Sequence, residues 1–288
     1  MDLSEAKLPS SKRRGVYWVI AILGTATVMY IPTFRFFWTS WMADAQYSLA
    51  YLVPFVSGYF IWKKWPEVAK LERRPCVWGA VLIGFALAFH LLGVILDVSG
   101  PSGVSVLLCI VGGCLYLHSA ALVRTLAFPL AYTVFMIPVP GGILDLIGFP
   151  LQLLATGGTA FLLRLIGMEV TQSGVSLAVP GYDFQVAMAC SGMSSLVALI
   201  GVTAVFAYIT RLPVGLKWVL FLLAVPIALA ANMVRITTIA LVGYQWGPEV
   251  AGDMYHDWSS PILFLAAIGI LFLVNGVLEW ASGRRTTS

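Results

Sequence analysis

Apolar stretches of about 17 to 24 residues recur from Tyr17 to Trp280, and at roughly 1.5 Å per residue each can cross a ~30 Å hydrocarbon layer as a helix. None shows the apolar/polar alternation of a barrel strand, and unpaired backbone groups are costly in lipid, so helices are the expected spanning elements. The residues are 60% hydrophobic and only 10% charged, with a mean hydropathy of +0.91, outside the range of ordinary soluble domains. The expected fold class is all-α, a polytopic transmembrane helical bundle. No polar stretch is long enough for a soluble domain and no internal repeat is visible. One membrane domain over residues 15–280, between cytoplasmic tails at 1–14 and 281–288, is therefore expected.

Read in order, the spans fall near 15–34, 45–62, 76–98, 103–122, 123–138, 186–209, 218–241 and 261–280, eight crossings in all. The first follows Lys12, Arg13 and Arg14, as a signal peptide would, but Phe36, Phe37, Trp38 and Trp41 precede the small-x-small triplet Ala43-Asp44-Ala45, which favours an uncleaved anchor. The segment from Leu144 to Leu165 is also apolar, yet carries Gly148, Pro150, Gly157, Gly158 and Arg164. It reads as interfacial or re-entrant. Lys and Arg in short loops mark the cytoplasmic side. With the N-terminus inside, every basic residue but Arg35, Arg164 and Arg235 falls inside, 14 of 17, and an even number of spans returns the C-terminus to the cytoplasm. The net charge of +4 is thereby accounted for by topology, and no nucleic-acid partner is expected.

Arg235 lies 18 residues after Lys217, so a helix entering from the cytoplasm carries it ~27 Å, nearly to the outer surface. Cys190 is expected at the same level, in the first turn of the helix that runs from about residue 186 down to Arg211. His256 sits in the outer connection from Trp246 to Ser260. A thiol, a guanidinium and an imidazole from three consecutive segments thus share one depth.

Depth has to be weighed against packing. Cysteine behaves as a small hydrophobe, and Ala187, Ser191, Gly192 and Ser195 fit close helix packing as well as a reactive turn. Cys76, Cys109 and Cys114 lie at other depths and are assigned to packing; the spacing of Cys109 and Cys114 makes no metal pattern. Cys190 is expected as a thiol on the outer side. There the unpaired N–H groups and partial positive charge of a helix N-terminus favour thiolate over thiol. His256 would serve as its acid/base, unless it is a solvated loop histidine. An arginine inside an apolar span costs on the order of 3 kcal/mol unless paired or snorkelling. Arg235 would be a donor to a carbonyl oxygen turning negative during acyl transfer, or simply a residue reaching water. Asn232, three residues earlier on the same face, would orient the guanidinium or add a donor. Asp253 and Asp257 flank His256 and would fix its tautomer. The three histidines, His90, His118 and His256, form no zinc-protease pattern, and no glycine-rich phosphate loop is present; no cofactor or metal is expected.

The stretches "VAMACSGMSSLVAL", "ANMVRITTIAL" and "MYHDWSSPILF" resemble the Cys, Arg and His motifs of the exosortase/archaeosortase family. The resemblance extends to "YSLAYLVPFVSGYFIW", "FMIPVPG" and "LLRLIGMEVTQSGVSLAVPGYDFQVA". Many members have His-Gly after the Tyr-Ser of the early motif, where this chain has Leu49-Ala50. The resemblance implies a membrane-embedded cysteine transpeptidase acting on exported proteins with a C-terminal tag such as Pro-Glu-Pro, then a transmembrane helix and a basic cluster. It implies Cys190 as nucleophile, Arg235 as oxyanion or positioning residue and His256 as acid/base, with Asn232, Asp253, Ser191 and Gly192 in support. The partners implied are the tagged substrate, membrane lipid, and an acceptor amine or water. The substrate helix is expected to dock laterally, and residues 168–187 to form a short hairpin over the cysteine. The competing reading is a non-enzymatic transporter or membrane scaffold in which Arg235 binds an anion and Cys190 packs.

Overall fold

A computed structural model describes residues 10–43, 47, 49–139, 141–180, 182–187, 190–247, 249–251 and 256–283. In chain order the elements are α1 (Ser10–Ala43), α2 (Val53–Val68), α3 (Trp78–Ile95), α4 (Ser99–Leu117), α5 (Ala120–Thr125), α6 (Ala127–Tyr132), α7 (Gly141–Leu165), strands β1 (Thr171–Ser173), β2 (Ser176–Val179) and β3 (Tyr182–Gln185), then α8 (Met193–Ile209), α9 (Val214–Trp246) and α10 (His256–Gly283). Among the described residues, five helices are long and apolar enough to cross a membrane: Trp78–Ile95, Gly100–Leu117, Asp145–Leu165, Val214–Trp246 and Trp258–Gly283. Ala127–Met136 and Met193–Ile209 are apolar but shorter. The chain is a multi-pass, predominantly helical membrane protein.

Two expectations need correction, and the all-α reading, which fits the bundle, needs one addition. The span placed at 123–138 is not one helix. Leu126 departs from helical geometry between α5 and α6, and Pro129 has no N–H with which to carry the ladder back to Thr125. A 3-10 turn at Thr133–Met136 follows, and Ile137, before Pro138, is extended. The segment 144–165 is not re-entrant: it lies in one continuous helix, α7, with Pro150 inside it. Its small residues Ala155 and Ala160 pack with Ile236, and its Leu163 with Ala240, which places α7 along the C-terminal half of α9. The all-α expectation omits a three-stranded antiparallel sheet, ordered β1-β2-β3. Its register pairs Gln172 with Leu177 and Leu177 with Phe184, and Gly174, at φ +59, makes the turn between the first two strands.

Packing is closest in the α3–α4 hairpin. A Cβ on Gly79 would lie 2.7 Å from the Gly112 carbonyl oxygen and 2.8 Å from Tyr116 Cα, so the backbones touch because no side chain intervenes. Gly79→Ala is expected to force the two helices apart and cost about 1–3 kcal/mol, read as a lower thermal midpoint in detergent. The α1 helix closes on this hairpin through polar contacts in an apolar setting: Tyr30 donates to Ser105 Oγ at 3.0 Å, and the buried His90 ring lies 3.2 Å from the Met29 carbonyl.

The second bundle is α8, α9 and α10, around a core of Leu199, Ala207, Leu220, Ala224, Ala228, Ala267 and Leu271. At one end Thr210 Oγ1 lies 2.8 Å from both Asn275 Oδ1 and Glu279 Oε1, fixing the C-terminal ends of α8 and α10 together. Since these helices antiparallel α9, their N-terminal ends meet the C-terminal half of α9, where the candidate site lies. Between the two bundles Phe128 stacks on Tyr208 at 3.9 Å between centroids, and Phe60 meets both edge-on.

Candidate active site

Cys190 precedes α8 rather than lying in its first turn. Gly192 is the N-cap, at φ +86 and ψ 2, a left-handed conformation that breaks the helical path, so residues before it cannot continue the ladder. The Cys190 N–H instead donates to the Ala187 carbonyl at 2.8 Å. Ser191, buried, turns its hydroxyl to the Met193 N–H at 3.4 Å, the local capping contact expected of a serine ahead of a helix. Cys190 packs against the cluster formed by Ala155, Ala160, Leu177, Val186 and Ile236. That cluster draws on helix α7 and strand β2, and the expected hairpin at 168–187 is built as three strands. The buried Gln152 amide donates to the Val186 carbonyl, tying α7 to the segment that leads to the cysteine.

Asn232 is placed differently from the sequence expectation. Its Nδ2 donates to the Cys190 carbonyl at 3.0 Å, so it holds the cysteine backbone rather than the guanidinium. The partner of the guanidinium is Ser260: Arg235 donates from a terminal nitrogen to Ser260 Oγ at 3.1 Å. Arg235 is 7% exposed and Asn232 4%, so neither snorkels. Among the described residues, Arg235 Nε and Asn232 Oδ1 have no hydrogen-bond partner. Both residues line a narrow cleft with Ser195, Ala231, Ser260 and Leu263, and each keeps one buried polar atom unpaired. Leaving such atoms unmet costs about 1–3 kcal/mol each, which is tolerable where a substrate or water meets them.

His256 opens α10, and Ser260, four residues on, shares its helix face. Arg235 is thereby bonded one helical turn from the histidine position. Asp253 lies outside the described residues. Sequence reasoning missed Ser260, whose signal was present in the spacing: His256 and Ser260 stand at i and i+4 ahead of an apolar run. The structure brings together Cys190, Ser191 and Gly192 from the turn before α8 with Asn232 and Arg235 of α9, and adds Ser260 from α10.

Gly192 is required twice over. Besides its positive φ, a Cβ there would lie 2.8 Å from Asn232 Nδ2 and 2.9 Å from Asn232 Cγ. Gly174, also at positive φ, has nothing within 4 Å of such a Cβ. Gly174→Ala is expected to cost only the backbone term, ~1–2 kcal/mol. Gly192→Ala should cost more than that and should also displace Asn232. Thermal unfolding of both variants in one detergent checks the ranking; equal losses would mean that Asn232 does not crowd Gly192.

The geometry offers a thiol whose backbone is fixed by a buried amide and, one turn further along α9, a buried guanidinium with an unmet N–H. Such a set can support nucleophilic attack with stabilisation of a developing negative charge. Residues 38–273 match the family model described as transmembrane exosortase. No curated protein and no solved structure matches the chain.

Proposed function

Because this chain belongs to the transmembrane exosortase family, whose members are membrane protein-sorting enzymes, we propose that it is an intramembrane cysteine transpeptidase that removes the C-terminal sorting signal of exported proteins. The signal is a short tag, a transmembrane helix and a basic cluster. The observation that carries the reading is convergence: Asn232 holds Cys190 at 3.0 Å while Arg235, one turn further along α9, bonds Ser260 of α10 at 3.1 Å. Three chain segments that the sequence separates by tens of residues thus meet through two hydrogen bonds.

In the proposed reaction the Cys190 thiol gives its proton to His256 and Sγ attacks the carbonyl carbon of the scissile peptide bond. The carbonyl oxygen, now negative, accepts a hydrogen bond from an N–H of Arg235. Collapse of this intermediate breaks the C–N bond, His256 returns the proton to the leaving amine, and the tag with its helix departs. A thioester remains on Cys190. An acceptor amine, or water, then attacks the thioester carbonyl, the thiol is released, and the exported protein is transferred or freed. Ser191 and Gly192 shape the approach to Cys190. Asp253 would bear on His256. The substrate's helix docks among the spans from the lipid.

The site is assigned to the extracytoplasmic face of the cell membrane. Eight crossings, counted with α7 in place of the broken 123–138 segment and with both termini cytoplasmic, leave most Lys and Arg inside and put the Cys190 end of α8 outside. Cleavage of a co-expressed tagged substrate, followed by mass, tests the proposal: it requires loss of the C-terminal helix with the wild-type chain and none with Cys190→Ala.

A further inference from the structure

We infer that Ser260 is a positioning residue of this site, acting through Arg235; the inference rests on the proposed transpeptidase reading for its effect on turnover, but the contact itself does not. Arg235 is buried in an apolar span, and the hydroxyl of Ser260, at 3.1 Å, is its one side-chain partner among the described residues. Both line the same cleft as Asn232 and Ser195. A guanidinium is a planar fork, so engaging one terminal N–H fixes the direction of the others. With that nitrogen bound to α10, Nε is left buried and without a partner among the described residues. Without the hydroxyl nothing described keeps the guanidinium in the cleft, and its long stem lets it swing toward water.

Ser260 also decides which elements move together. It stands on α10 one turn from His256, whereas Arg235 stands on α9 one turn from the residue that holds Cys190. The hydroxyl contact therefore couples the helix bearing the acid/base to the helix bearing the oxyanion donor, although Ser260 itself touches no reacting atom.

Two measurements on the full-length protein in detergent test this. The first needs no substrate: phenylglyoxal modification of Arg235, followed by peptide mass, in wild type, Ser260→Ala and Ser260→Thr. Ser260→Ala should label Arg235 at least about fivefold faster, because the side chain reaches water, and Ser260→Thr, which keeps the hydroxyl, should return to the wild-type rate. The second is turnover of a tagged substrate. Ser260→Ala should lower kcat by roughly 10- to 100-fold with KM changed less than about threefold, and Ser260→Thr should recover most of it. In an Arg235→Lys background Ser260→Ala should add less than about twofold, since residues acting through one another are not additive. Equal labelling of wild type and Ser260→Ala, or a full additional loss in the Arg235→Lys background, would overturn the inference. Faster labelling in Ser260→Ala, in a protein whose wild type cleaves no tagged substrate, would uphold the contact and remove the transpeptidase reading instead.

Discussion

Cells that co-express a tagged exported protein with Cys190→Ala should accumulate the substrate with its C-terminal helix intact, while the wild-type chain trims it. The expected loss is at least about 10⁴-fold, the scale on which removing a nucleophile acts when the rest of a site remains. The variant should still fold. Cys190 packs, half-buried, against a cluster of small and aliphatic residues, so deleting one sulfur there costs about 1 kcal/mol, comparable with trimming a small hydrophobe. Asn232 grips the Cys190 carbonyl rather than its side chain, so the backbone stays where it is in the variant. Cys190→Ser separates chemistry from shape further: it keeps a small polar group at the same place, and should be inactive or nearly so because a hydroxyl is a poorer nucleophile than a thiol in a site built for one. Unchanged trimming by Cys190→Ala would make Cys190 a packing residue, and a transporter or scaffold in which Arg235 binds an anion would then account better for the buried guanidinium.

What the sequence made legible follows from the physics of each signal. Apolar run length reports membrane crossing directly, so α3, α4, α9 and α10 fall close to the spans expected near 76–98, 103–122, 218–241 and 261–280. Hydropathy is blind to hydrogen-bond continuity, and it therefore merged α5, α6 and the 3-10 turn into one span although Pro129 interrupts the ladder. The opposite error arose at 144–165. Gly and Pro were read there as breaks, whereas a proline inside a packed helix loses a single backbone bond and the small residues let α7 lie against α9. Counting residues back from Arg211 puts Cys190 at the start of the α8 segment, and the structure has it just ahead of that helix. Its exact setting depended on Gly192, whose left-handed conformation has no periodic trace. The role of Asn232 was misassigned because i, i+3 spacing tells which face a side chain is on, not which of two neighbours it binds. The i, i+4 spacing from His256 puts Ser260 on the face of interest, but its bond to Arg235, 25 residues away, is not legible from that spacing.

Replacing Arg235 by Met should give a protein at least as stable as the wild type and on the order of 10³-fold slower in kcat. Both halves come from the same burial. Arg235 is 7% exposed and has one bonded nitrogen while Nε is unmet, so its charge is desolvated and only partly repaid; an apolar side chain of similar volume removes that penalty and is often neutral or stabilising. The thermal midpoint should therefore hold or rise. Turnover should fall because the bare N–H is available to a carbonyl oxygen only as that oxygen gains charge, and losing one such donor costs roughly 10²–10³-fold before the guanidinium charge is counted. Arg235→Lys keeps a charge but not the fork that bonds Ser260 while presenting Nε, so it should lie between the two. Steady-state kinetics with a tagged substrate distinguish the roles: a fall in kcat at nearly constant KM marks an interaction made in the transition state, whereas a higher KM with kcat preserved marks substrate binding alone. Full kcat in Arg235→Met would remove the oxyanion role, and a sharp loss of thermal stability in the same variant would mean that the guanidinium is held for structure.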